Sequence, residues 1–183
     1  MLVLLVLLCL MSVSLEMTVG RCEAPMRPGH TDCEMPRDGV RWFYDNELDD
    51  CFEYFYYGCG AGPNSFTDYY ACRRYCTAAD RFNCAGNTEP TASCSRRYNT
   101  CPRGSTCIIG FVTGRCCDIE EEEQWYKETH PTCKQGRPLT RKTDYGEAIR
   151  FGRSCSHKFC PLGYQCIQGK RLAYCCKEEL ENW

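Results

Sequence analysis

Histidine is scarce in this chain, and several kinds of functional signal are missing altogether. Only His30, His130 and His157 occur among 183 residues. None sits beside a nucleophile motif, so an enzyme reading lacks its parts. No Cys-x-x-Cys occurs, which together with the few histidines removes the usual zinc-ligand spacings. No metal and no cofactor is expected. No Asn-x-Ser/Thr occurs, so ordinary N-glycosylation is not expected. The formal net charge is only −2, and no basic stripe argues for nucleic acid or membrane as a partner.

What is present begins with an apolar start. Met1 to Leu15 is almost wholly apolar and carries no Lys or Arg. A run of that kind reads as a secretory signal peptide over residues 1–20. It is too short and badly flanked for a membrane-spanning helix. Small residues at Ser12 and Ser14 permit cleavage after Ser14, and Thr18 and Gly20 permit it after Gly20; both sites remain open. No second apolar span follows, so the mature protein is expected to be secreted, free and extracellular.

Cysteine is abundant, at 19 of 183 residues, a level that marks a disulfide scaffold. Removing the signal removes Cys9 and leaves an even number, as full pairing in an exported chain requires. The remaining cysteines form three groups of six. The first is Cys22, Cys33, Cys51, Cys59, Cys72 and Cys76. The second is Cys84, Cys94, Cys101, Cys107, Cys116 and Cys117. The third is Cys133, Cys155, Cys160, Cys166, Cys175 and Cys176. The second and third are repeats. Each contains Cys-Pro-x-Gly-x-x-Cys-Ile-x-Gly, at Cys101 to Gly110 and at Cys160 to Gly169, and each closes on an adjacent cysteine pair. Their front halves differ, since Cys84 to Cys94 is short and Cys133 to Cys155 is a long loop.

The expected modules span 21–77, 83–118 and 132–177. The acidic stretch 119–131 separates the repeats and begins Ile119-Glu120-Glu121-Glu122-Glu123. Like charges repel and resist burial, so this stretch is expected to be a solvated linker. Modules this small rarely outweigh chain entropy with a core alone, so covalent staples are needed. A bridge closing a loop of about 55 residues contributes roughly 4 kcal/mol on chain-entropy grounds. Adjacent cysteines such as Cys116 and Cys117 bond each other only under strain, so each is expected to find a different partner.

In the first module, Val40 to Asp45 and Cys51 to Tyr57 are rich in aromatic and β-branched residues and flank the polar turn Asn46 to Asp50. This predicts a twisted β-hairpin. Asp68 is the expected N-cap of a short helix reaching Tyr75. Cys72 and Cys76, four apart, then share a helix face.

Those elements, the gaps of seven, twelve and three residues between the last four cysteines, and the segments Arg41-Trp42-Phe43-Tyr44, Tyr57-Gly58-Cys59 and Asn64-Ser65-Phe66 resemble a Kunitz (pancreatic trypsin inhibitor type) domain. The fold class expected is therefore small and disulfide-rich: an α+β Kunitz domain, a twisted β-hairpin plus C-terminal helix, followed by two short, cysteine-knotted, loop-rich repeats. The resemblance implies the pairs Cys22–Cys76, Cys33–Cys59 and Cys51–Cys72. It implies a protease-contact loop over Asp32, Cys33, Glu34, Met35, Pro36 and Arg37, with Glu34 at the residue that enters the specificity pocket.

Three features depart from the family. Glu34 is acidic. The gaps Cys22–Cys33 and Cys33–Cys51 are each two residues longer than is common. Tyr57 stands where a glycine usually packs beneath the loop. The repeats resemble lustrin-type cysteine-rich modules, with pairing left open, and the module order resembles secreted nematode Kunitz proteins of the cuticle. Together these imply a secreted modulator of serine proteases in extracellular-matrix or cuticle formation, without tight inhibition of trypsin or chymotrypsin. An extracellular serine protease and matrix proteins are the partners implied. The alternative is a structural or adhesive matrix protein that uses the Kunitz frame as a scaffold.

Overall fold

The computed structural model describes residues 20–34, 36–78, 82–110 and 113–178. Residues 1–19, where the signal peptide is expected, and Met35 of the expected contact loop lie outside them. No helix among the described residues is long and apolar enough to cross a membrane. The chain is a small disulfide-rich protein of two compact units, one built on the first cysteine module and one on the cysteine-rich region that follows.

The first unit is a hairpin stapled to a helix. Strands β1 (Gly39–Asp45) and β2 (Asp50–Tyr56) pair antiparallel, with Arg41 opposite Tyr54 and Phe43 opposite Phe52. Such cross-strand aromatic pairs are the units that stabilise a sheet. Helix α1 (Tyr69–Cys76) starts where Asp68 accepts a hydrogen bond from the Ala71 N–H at 2.8 Å, one of the donors that the first turn leaves without a helical partner. Cys72 lies on its inner face and bonds Cys51, and Cys76 bonds Cys22 near the N-terminal end of the unit, with Cα separations of 6.2 and 5.6 Å. The core between them is Trp42, Tyr44, Cys51, Phe66 and Cys72.

Among the described residues of this unit one uncharged polar side chain is buried, Asn64, at 2% exposure. Its Oδ1 accepts from the Tyr44 N–H at 2.9 Å. Its amide donates to the carbonyls of Tyr44, Ala24 and Cys22 at 2.8, 2.9 and 3.3 Å. Buried polar groups cost stability unless satisfied, and here the amide ties the N-terminal segment to the end of β1. Asn64→Ala strands these backbone groups and is expected to destabilise the fold by about 3 kcal/mol, read from denaturant unfolding with the disulfides intact. A loss under about 1 kcal/mol would contradict this role.

The second unit contains two three-stranded sheets of the same order. In the first repeat, β3 (Ala92–Cys94) and β4 (Ser105–Ile109) flank β5 (Gly114–Asp118). In the second, β8 (Phe151–Gly152) and β9 (Tyr164–Gln168) flank β10 (Ala173–Lys177). The disulfides match as well. Cys84–Cys117, Cys94–Cys107 and Cys101–Cys116 in the first repeat correspond to Cys133–Cys176, Cys155–Cys166 and Cys160–Cys175 in the second. The longer front loop of the second repeat holds an extra hairpin, β6 (Thr140–Thr143) and β7 (Gly146–Ile149). The small core of this repeat is Phe159, Ala173 and Cys175, with Leu139 and Tyr164 packed against it.

The acidic stretch, expected as a solvated linker, is helix α2 (Ile119–Thr129). Asp118 caps it by accepting from the N–H groups of Glu120 and Glu121. Glu120, Glu121 and Glu122 occupy its first turn, where the helix dipole favours negative charge and offsets their mutual repulsion. Several of its carboxylates are also engaged. Glu122 accepts from the Ala85 N–H in the first repeat at 2.7 Å. Glu128 accepts from the N–H groups of Arg171 and Leu172 in the second. Arg171 forms ion pairs with Glu121 at 3.0 Å and Glu128 at 3.4 Å, and its guanidinium lies 5.0 Å from the Trp125 ring centroid. The helix thus holds both repeats rather than merely separating them.

Candidate functional site

The loop over Asp32 to Arg37 runs between the N-terminal segment and β1. Asp32, Cys33, Glu34, Pro36 and Arg37 are all exposed. Cys33 bonds Cys59, just past the end of β2, with a Cα separation of 6.3 Å. Backbone pairing reinforces this staple on its N-terminal side. The His30 N–H donates to the Cys59 carbonyl at 2.9 Å, and the Cys59 N–H donates to the His30 carbonyl at 3.0 Å. The Tyr57 N–H donates to the Pro28 carbonyl at 2.8 Å. The Asp32 N–H donates to His30 Nδ1 at 3.3 Å. The loop is therefore held on its N-terminal side, while Asp32, Cys33, Glu34, Pro36 and Arg37 are exposed.

Two glycines permit this closeness. Gly29 has φ +76°, and a Cβ there would overlap the Cys59 carbonyl. Gly58 has φ +111°, and a Cβ there would lie 2.7 Å from Pro36 Cβ and 2.8 Å from the Arg37 nitrogen. The residue packed beneath the loop is thus Gly58. The neighbouring Tyr57, where a glycine was expected to be missed, sets its ring edge-on against Phe55 at 5.3 Å.

Near the end of β2, Tyr54 is fully buried and shares a 2.6 Å hydrogen bond with Ser65 Oγ. Burial raises its phenol pKa above the ordinary tyrosine value, outweighing the hydrogen bond to Ser65, which pulls the other way. Arg41 places its guanidinium 4.2 Å from the Tyr56 ring centroid and donates to Ser65 at 3.5 Å. These contacts hold the β2 end from which Gly58 and Cys59 emerge.

Chemically the described residues of the site form an exposed loop stapled to the end of the hairpin. A loop already held in place loses little ordering entropy on docking, the property that favours tight insertion into a cleft. The roles of Asn64, Ser65 and Gly58 escape a sequence reading. Asn64 looks like a turn residue, because its four partners are backbone groups far away along the chain. Elsewhere, the cysteines that crowd together in the repeats, Cys94, Cys101 and Cys107 among them, are all disulfide-bonded and offer no thiolate.

Gly58→Ala is expected to cost about 1–3 kcal/mol through strain at a positive φ. It should also speed amide exchange at Arg37 and Asp38 while leaving α1 protected. Unchanged exchange at both residues would show that the loop does not rest on this glycine.

Residues 21–77 match the Kunitz/Bovine pancreatic trypsin inhibitor domain family. A BPTI/Kunitz inhibitor domain-containing protein of Caenorhabditis elegans is 40% identical over 157 residues, 85% of this chain and 89% of that protein. Major allergen Ani s 1 of Anisakis simplex is 32% identical over 168 residues, 85% of this chain and 86% of that protein. A Kunitz-type serine protease inhibitor, kunitoxin-Phi1 of Philodryas olfersii, is 33% identical over 60 residues, 29% of this chain and 61% of that protein. The two nematode matches are far longer than the Kunitz module and so extend into the cysteine-rich region.

Proposed function

The chain belongs to the Kunitz/bovine pancreatic trypsin inhibitor family, and on that ground we propose that it is a secreted modulator of serine proteases, acting in extracellular-matrix or cuticle formation, with a contact loop that does not suit trypsin or chymotrypsin. A protease-inhibitor-like role follows from the family and from the inhibitor relative. The observation that carries the finer reading is the exposed loop stapled by Cys33–Cys59, with Glu34 directly after the staple.

The charge of Glu34 decides the specificity. Trypsin-like pockets carry an aspartate, and chymotrypsin-like pockets are apolar. Burying a carboxylate without a partner costs several kcal/mol. A penalty of about 4 kcal/mol alone would take a nanomolar complex to about micromolar. A protease with a basic pocket would instead pair the carboxylate. The extracellular setting is supported by the density of disulfides, which persist in oxidising compartments. The matrix or cuticle setting is supported by the nematode relatives, whose similarity covers the repeats as well.

A second reading, a structural or adhesive matrix protein, is favoured by the two repeats with the same disulfide pairing. One inhibition panel separates the two. It should include trypsin, chymotrypsin and proteases that cleave after acidic residues. The unmodified chain is expected to give no nanomolar inhibition of trypsin or chymotrypsin, and Glu34→Arg is expected to gain at least about 100-fold against trypsin, an effect of about 2.7 kcal/mol. Nanomolar inhibition of either enzyme by the unmodified chain would sink the reading of Glu34. No inhibition by either form of any protease would support the scaffold reading.

A further inference from the structure

We propose that the second cysteine-rich repeat is an anchoring module for a sulfated extracellular polysaccharide. The near-neutral total charge conceals a sharp division. Residues 132–177 hold ten Lys and Arg against two Asp and Glu, an excess of eight positive charges. The rest of the chain holds twelve against twenty-two. The absence of a basic stripe, read from the whole chain, therefore does not describe this module.

The structure compresses that excess into a small volume. A folded module of this length has a radius of gyration of about 9 Å, comparable with the screening length of about 8 Å at physiological salt. The charges therefore act on a polyanion together, and the three disulfides of the repeat hold them there. Helix α2 neutralises one edge only, the turn after β9. There Lys170 donates to Gln124 and Arg171 meets Glu121 and Glu128. Of the two acids in the module, Glu147 stands opposite Lys142 in the β6–β7 pair.

Away from that edge Arg153 pairs with Glu47, and five other basic groups are exposed. Lys134, Arg137, Lys142, Lys158 and Lys177 are all exposed. The register of β6 and β7, continued by the Arg150 N–H donating to the Leu139 carbonyl, puts Arg141 and Arg150 on one face of the hairpin. Arg150 then reaches the Phe159 carbonyl at 3.5 Å, next to exposed Lys158.

The partner follows from the form of this surface. Charges spread over a module suit an extended polymer with regularly spaced anionic groups rather than a small anion. A chain held by this many disulfides works outside the cytosol. There the abundant polyanions are sulfated glycans, and the strongly negative lipid leaflet is the cytoplasmic one. The basic module and the Glu34 loop share no residue, so protease inhibition and glycan binding fail independently.

The test uses the full chain on immobilised heparin, eluted with a NaCl gradient. The unmodified protein is expected to stay bound beyond physiological ionic strength, about 0.15 M. A variant carrying K134Q, R137Q, K142Q and K158Q is expected to elute below it. A variant carrying R74Q, R96Q, R97Q and R103Q, which removes the same charge from exposed positions elsewhere, is expected to elute with the unmodified protein. If the first variant fails to fold, the single changes K142Q and K158Q should each lower the eluting salt. Elution of the unmodified chain at or below about 0.15 M would overturn the proposal. So would equal loss in the two fourfold variants, or equally strong retention on vesicles of anionic phospholipid.

Discussion

Each module depends on covalent closure around a core too small to stand alone. In the repeats the decisive feature is the adjacent cysteine pair on the last strand. Successive side chains on a strand point to opposite faces, so Cys116 and Cys117 cannot serve the same side of β5. Cys116 bonds Cys101 and Cys117 bonds Cys84, and the second repeat follows suit with Cys175 to Cys160 and Cys176 to Cys133. One strand is thereby stapled on both faces. The sheet can then be short and its core can shrink to a few side chains such as Phe159 and Ala173. Under this restraint surface residues are free to vary, so one repeat can carry an excess of basic over acidic residues.

In the first module the same logic separates frame from loop. Cys51–Cys72 and Cys22–Cys76 hold the helix and the N-terminal segment to the hairpin, and Asn64 completes the work with hydrogen bonds that join the N-terminal segment to the end of β1. Cys33–Cys59 and the His30–Cys59 pairing hold the loop. None of these restraints depends on the side chain of Glu34, which faces solvent. Specificity can therefore change without cost to the fold, and a Kunitz frame alone does not define the target.

The parts legible in the sequence were those with local signals. The hairpin follows from aromatic strands around a polar turn, the helix start from Asp68, and the different partners of adjacent cysteines from disulfide geometry. Less legible were the features set by distant partners. Glu120 to Glu123 read as a repelling run because the Ala85 N–H that donates to Glu122 and the Arg171 that pairs with Glu121 are remote in sequence. Gly58 could not be told from Tyr57 as the residue under the loop, since that depends on where Pro36 comes to lie. The charge of residues 132–177 was visible throughout but cancelled in the total.

The most direct measurement is disulfide mapping of the intact protein by non-reducing digestion and mass spectrometry. Three closed modules require that every bridge stay within its group of six, with Cys101–Cys116 and Cys84–Cys117 matched by Cys160–Cys175 and Cys133–Cys176. A bridge between groups, or different pairing in the two repeats, would contradict the architecture on which both the contact loop and the basic module rest.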